Sequence, residues 1–261
     1  PSDRCRSTCR TRRSGRAHDG RMARILVTGS TDGLGRGTAD SLLRSGHDVV
    51  VHARNTARAE AVADLVERGA ELVVADLADR DAVIATAREL DAGTPLDAVV
   101  HNAGVISGRS LVPVNVVAPY LFTALLRSPE RHVYLSSGMH RGGRPRLDTV
   151  DWTGASETNS YSDRKVFVTA LAAEVPLRRP GVLSNAVDPG WVATKMGGAG
   201  APDDFELGHR TQETLATDPN QTATGGYWFH GERQEPHPAV ADQRFRTELP
   251  DTLAEATGIT L

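Results

Sequence analysis

The sequence predicts a single doubly wound α/β domain, with a mostly parallel sheet flanked by helices. Three observations lead to this class. From Arg24 onward, short apolar runs alternate with helical patterns. The first run passes straight into a glycine-rich turn that opens a helix. The runs are unbroken and β-branched, which suits strands covered on both faces. In order, the expected strands are 25–28, 49–52, 72–75, 98–101 and 133–136, with a later one at 183–187. Helical patterns fall at 35–44, 57–68, 82–90, 114–126 and 162–173. A Gly- and Pro-rich loop at 190–202 precedes a helical stretch from about 205 to 215. The tail carries two short helical pieces, at 240–246 and 253–256.

The 261 residues are 39% hydrophobic and 24% charged, enough for a substantial core without metals or disulfides. The net charge of −3 is uneven. Residues 1–21 hold seven arginines against two aspartates, a balance of +5, which leaves −8 for the rest. Both cysteines, Cys5 and Cys9, lie in this stretch, and a thiol-free body reads as a reducing, cytoplasmic setting. The stretch lacks the apolar centre of a secretion signal, and Met22 stands just before the first strand. Residues 1–21 are therefore expected to extend outside a domain spanning 22–261; a nucleic-acid arm and a targeting segment are the alternatives. The acidic body argues against nucleic acid. No apolar run approaches the ~20 residues that cross a bilayer, so no membrane association is expected.

The turn after the first strand reads Thr28-Gly29-Ser30-Thr31-Asp32-Gly33-Leu34-Gly35. Glycines there allow a tight turn and close approach to a pyrophosphate, whose charge the helix N-terminus stabilises. The second strand runs into Ala53-Arg54-Asn55, with no acid to bond a ribose 2′-hydroxyl. Arg54 would instead favour a 2′-phosphate, so NADP(H) is expected over NAD(H).

Further on, Tyr161 and Lys165 are spaced i, i+4, on one side of a helix. A phenol titrates near ~10, and a nearby ammonium favours its ionised form. These are two of the ingredients of proton exchange with a substrate oxygen. The chain has only two lysines, Lys165 and Lys195, among thirty basic residues, so a lysine at this spacing is notable. The strand at 133–136 leads into Ser136-Ser137-Gly138, which ends it in two candidate hydroxyls or a plain strand-end turn.

The spacing G-x-x-x-G-x-G, followed by Asn102-Ala103-Gly104, Tyr161-x-x-x-Lys165 and Pro189-Gly190-x-x-x-Thr194, resembles the short-chain dehydrogenase/reductase family. The resemblance is to its classical type and runs from Met22 almost to the end. It implies a Rossmann-type fold and hydride transfer between NADP(H) and a carbonyl or alcohol. It implies that Asn115, Ser137, Tyr161 and Lys165 are catalytic. Cofactor contacts are implied at Thr28, Gly29, Thr31, Gly33, Leu34, Asp76, Leu77, Asn102, Ala103, Gly104, Tyr161, Lys165, Pro189, Gly190, Val192 and Thr194. The insertion before Tyr161, with its stretch 147–152, and Gly225-Gly226-Tyr227-Trp228-Phe229 are similar to retinol-dehydrogenase-like members, which implies a lipophilic aldehyde or ketone. The segment before Asn115 departs from the pattern, being about half its usual length, and with it goes part of a common oligomer interface. A homo-oligomer stays open, and no metal site is expected. The loop with Trp191, Met196 and Gly197 either closes over a hydrophobic substrate or is a plain surface loop, within a substrate region around 190–216. The competing function is a non-catalytic NADP(H)-binding sensor of the same fold.

Overall fold

The computed structural model describes residues 22–261, so the basic stretch and both cysteines lie outside the described residues. Eight strands form one sheet: β1 (Arg24–Val27), β2 (Asp48–Ala53), β3 (Glu71–Val74), β4 (Ala98–His101), β5 (Arg131–Leu135), β6 (Leu183–Asp188), β7 (Tyr227–Phe229) and β8 (Glu232–Gln234). Their order is β3-β2-β1-β4-β5-β6-β7-β8, parallel except for the last strand. The chain reverses its winding between β1 and β4, the switch point where open α/β sheets leave a crevice at their carboxyl ends.

The helices are α1 (Gly33–Arg44), α2 (Thr56–Ala59), α3 (Ala63–Glu67), α4 (Arg80–Ala92), α5 (Ala118–Leu125), α6 (Tyr161–Arg178), α7 (Phe205–Thr217) and α8 (Gln243–Thr257). Because side chains alternate across a strand, β1 feeds two cores. Ile25 and Val27 pack with Val49, Val51, Leu42 and Leu215 on one face. Leu26 packs on the other with Val99, Leu121, Phe167 and Leu249. Strands covered on both faces are thus the rule in the centre. The edge strands β3 and β8 are less covered, and β3 leaves Val74 43% exposed.

Four features differ from the sequence reading. The expected helix at 57–68 is broken by a 3-10 turn at Glu60–Val62. The expected helix at 114–126 begins with a π-turn, Pro113–Val117, before α5. The hairpin of β7 and β8 was not anticipated, because three-residue strands carry too little periodicity to register. The tail's two helical pieces are one helix, α8, which runs through Pro250. Proline removes a backbone donor there, yet Phe245, Leu249, Pro250 and Leu253 together bury the face that packs on α6.

Candidate active site

The crevice at the switch point begins with the turn between β1 and α1. Gly29 and Gly33 have φ of +68° and +52°, the left-handed region that glycine enters at little cost. A Cβ on Gly35 would stand 2.2 Å from Asn102 Nδ2 and 2.5 Å from the Gly29 carbonyl, so the helix start can close on the strand only with glycine. Asp32 caps α1 through Gly33 N–H at 2.8 Å. The Leu34 and Gly35 N–H groups of the first turn are left for an acceptor outside the helix.

Neighbouring strands hold this turn through uncharged groups. Asn102 Nδ2 donates to the Thr28 carbonyl at 2.9 Å, and Ala103 N–H donates to Thr28 Oγ1 at 3.0 Å. Gly29 N–H donates to His52 Nδ1 at 3.0 Å; Nε2 therefore carries the ring hydrogen and donates to the Ala75 carbonyl at 2.9 Å. Burial pushes the His52 pKa down, against the opposing pull of Ala75 and Asp76. His52 went unnoticed in the sequence, where it is one polar letter in an apolar strand.

At the end of β2, Arg54 is exposed. Arg58 is a second cation that sequence reading missed. Its Nη2 donates to Thr31 Oγ1 at 3.0 Å and lies 3.6 Å from Asp32, which brings it to the rim of the glycine turn. Asp76 is exposed beyond β3, whereas the Leu77 side chain is buried in the core, so Leu77 can meet a ligand only through its backbone. A cavity of about 250 Å³ between α4, α5 and Trp152 holds Leu77 and none of the other expected site residues.

The carboxyl end of β5 carries the groups suited to proton transfer. Ser136 is buried and shares a hydrogen bond of 2.6 Å with Thr169 on α6. Ser137 turns instead toward the crevice, accepts the Met139 N–H at 3.2 Å and lies beside the Tyr161 phenol. Tyr161 is the first residue of α6. That start is set by Ser160 and Asp163, which form a capping box, each side chain accepting from the other's backbone. One turn on, Lys165 is buried, donates to the Leu135 carbonyl at 2.5 Å and lies 5.3 Å from the Tyr161 ring centroid.

The electrostatics differ from the simple expectation of an ammonium lowering a phenol. Burial pushes the Tyr161 pKa up to about 12; the nearby Asp188 charge adds to this, and the Ser137 hydroxyl opposes it. Lys165 is lowered to about 8 by burial, with Asp188 pulling the other way. The ammonium sits over the face of the ring, and burial is the largest influence on the phenol.

Asn115 sits in the π-turn that starts the next helix, a geometry often found at functional sites. Its amide is spent on Val105, accepting the N–H at 2.9 Å and donating to the carbonyl at 2.8 Å. A Cβ on Gly104 would meet Asn115 Oδ1 at 3.4 Å and Lys165 Nζ at 4.0 Å, so the shortened segment still brings these residues together.

The segment after β6 folds back over the glycine turn. Thr194 comes close enough that its Cγ2 would lie 3.3 Å from a Cβ on Gly33. The loop is pinned by Asp203, whose backbone N–H donates to the Trp191 carbonyl at 3.0 Å and whose carboxylate accepts the Trp191 N–H at 2.5 Å. Helix α7 then approaches closely, with Gly208 against Val192 and Leu34 and Gly37 against Phe205. Trp191, Met196, Phe205 and Leu207 on these segments are all exposed, as is Met139 beside Ser137. Among the described residues, no helix is long and apolar enough to cross a membrane, and no group of three or more His, Cys, Asp or Glu could hold a metal.

Comparison with known proteins agrees with this geometry. The family model described as short chain dehydrogenase matches residues 23–125. The chain is 36% identical over 257 residues to the short-chain dehydrogenase chyC of Penicillium rubens, spanning 92% of this chain and 99% of that one. It is 31% identical over 207 residues to retinol dehydrogenase 14 of Mus musculus, covering 66% of this chain and 62% of that one. An uncharacterized protein from Mycobacterium paratuberculosis has the same fold, with a TM-score of 0.77, 23% identity and coverage of 91% and 94%. So does a blue fluorescent protein from a metagenomic library, solved with NADPH, at TM-score 0.67, 19% identity and coverage of 79% and 95%.

Proposed function

The chain belongs to the short-chain dehydrogenase/reductase family, and from that premise we propose that it is an NADP(H)-dependent oxidoreductase acting on a lipophilic aldehyde, ketone or alcohol. The observation that carries this reading is the meeting of Ser137, Tyr161 and Lys165 at the end of β5, beside the glycine turn. The turn fits a dinucleotide: its glycines leave no room for side chains, and the start of α1 offers N–H groups to a pyrophosphate. Thr28, Gly29, Thr31, Gly33 and Leu34 would hold that end. Asn102, Ala103 and Gly104 would flank it, and Pro189, Gly190, Val192 and Thr194 would close over the nicotinamide. The bound cofactor supplies or accepts the hydride.

The chain's own residues do the rest. In reduction, the Tyr161 Oη–H bond breaks and its proton goes to the carbonyl oxygen as the carbon receives hydride, which completes the alcohol. The Ser137 hydroxyl donates to the same oxygen and stabilises the charge developing on it. Lys165, fixed by the Leu135 carbonyl, holds positive charge beside the phenol, and Asn115 braces the turn next to Lys165. Oxidation reverses each step.

Arg54 and Arg58 support a preference for NADP(H), because both can bond a 2′-phosphate and no acid stands between Ala53 and Ala57. The exposed Trp191, Met196, Phe205 and Leu207 support a lipophilic substrate, since apolar side chains that border a cleft gain by covering one. Incubating the purified protein with long-chain, terpenoid and polycyclic aldehydes and ketones, with NADPH and with NADH, tests the reading. Faster consumption of NADPH with at least one of them is expected. Binding of NADPH with no turnover of any carbonyl or alcohol would favour a sensor instead.

A further inference from the structure

The backbone of Ser137 is held by a ring that the proposed reaction does not touch. After β5 the chain makes a 3-10 turn, Gly138–Gly142, capped by Ser137, and within it His140 is completely buried. His140 Nε2 accepts the His237 N–H at 2.9 Å, and a backbone N–H can only donate. The ring hydrogen therefore sits on Nδ1, which donates to the Ser137 carbonyl at 2.8 Å. The His140 N–H donates to the same carbonyl at 3.0 Å, so both of its lone pairs are engaged. Because Ser137 Oγ accepts the Met139 N–H, its own hydrogen remains to be donated.

The other side of the ring is anchored. Tyr227 packs on it with ring centroids 4.4 Å apart, and the Tyr227 hydroxyl donates to Asp188 at 2.8 Å. His237 opens a second 3-10 turn, Pro238–Val240, its Nδ1 accepting the Ala239 N–H at 3.1 Å. Ala239 and Val240 are buried in the core that holds Leu249 and Leu253 of α8, and Arg246 donates to the Val240 carbonyl at 3.2 Å. His140 thus ties Ser137 to the segment that leads into α8. An apolar side chain of the same size would fill the space but leave the His237 N–H without its acceptor, so the two ring nitrogens matter more than the volume.

We propose that His140 is a positioning residue of the reaction: its Nδ1–H fixes the Ser137 backbone, and with it the direction from which the Ser137 hydroxyl meets the substrate oxygen. This rests on Ser137 being the residue that bonds that oxygen. A hydroxyl already in place needs no reorganisation as charge develops, whereas a displacement of about 1 Å can cost about 10²-fold in rate.

Two variants separate the two nitrogens. In His140→Gln the amide reaches the place of Nε2 and can still accept from His237, with nothing near Nδ1. In His140→Asn the amide stands near Nδ1 and can still donate to Ser137, with nothing at Nε2. Turnover is followed with NADPH and the carbonyl compound that the protein reduces fastest, with thermal melting as the control for folding. His140→Gln should lower the turnover number about tenfold or more and leave the KM for NADPH within about twofold, since the glycine turn is untouched. His140→Asn should recover most of that loss. In a Ser137→Ala background, His140→Gln should add less than about twofold, because the hydroxyl it positions is gone. Equal losses in both variants, or losses that multiply with Ser137→Ala, would assign His140 to the C-terminal segment and overturn the proposal. A normal rate in His140→Gln would overturn it too, while leaving the reading of Ser137 intact. A normal rate in Ser137→Ala would instead sink that reading, and the proposal with it. Nitrogen-15 NMR of the histidine rings needs no turnover: His140 should be neutral at pH 7 with its hydrogen on Nδ1, and a hydrogen on Nε2 would contradict the proposal.

Discussion

The two ends of the crevice are built from different materials. At the β1–β2 end, the turn is held by an asparagine, a threonine hydroxyl and a neutral histidine, each bonded to backbone. At the β5–β6 end, the side chains are ionisable and buried or half-buried: Tyr161 is raised, Lys165 is lowered, and Asp188 ends β6 without an arginine or lysine among the described residues paired to it. A pyrophosphate carries its own charge and needs only fixed N–H donors. Proton transfer needs groups whose two protonation states lie within reach of each other, which charges fully neutralised by partners do not provide.

Lys165→Met should break the second end most severely. It removes the one buried ammonium while keeping the volume, and the turnover number should fall about 10²- to 10⁴-fold, the range of a lost acid–base contribution. Steady-state kinetics checks it, with circular dichroism as the control for folding. Gly35→Ala should break the first end. Its Cβ would overlap Asn102 and the Gly29 carbonyl, so the turn must shift. The cost is about 1–3 kcal/mol by thermal denaturation, with cofactor affinity lost in fluorescence titration.

Acid titration sharpens the contrast from the side of stability. His52, His101 and His132 are buried with depressed pKa values, His101 to about 3. The unfolded values lie near ~6.5, so their contribution is complete above that pH and is lost as pH falls toward the folded values. Melting temperature should therefore drop progressively below about pH 6.5, and the slope should lessen in His101→Phe. Arg58→Ala is the mildest change. It should lower the preference for NADPH over NADH about tenfold, the worth of one charge-assisted contact, and leave the turnover number near its original value.

The first end was the more legible in sequence. Its glycines, Asn102 and the first six strands lie in contiguous, patterned text, and the strands fall within two residues of the expected bounds. Contacts across distant segments were not legible. His52 meets Gly29, and Arg58 meets Thr31, only because the parallel pairing of β1 and β2 brings those ends together. Asp188 and Tyr227 carry no local signal, since one reads as part of a turn and the other sits in a three-residue strand. The choice between Ser136 and Ser137 also needed three dimensions. Strand alternation sends one into α6 and the other into the crevice, and sequence alone does not fix which. The raised phenol of Tyr161 had the same origin, because the depth of its burial is a tertiary property.

Tyr161→Phe tests the central claim most directly. It deletes one hydroxyl from the α6 start and leaves the glycine turn untouched. Carbonyl reduction should fall by at least about 10²-fold while NADPH binding, followed by nicotinamide fluorescence, stays within about twofold of the unaltered protein. A variant that keeps near-normal turnover on the same substrate would contradict the account.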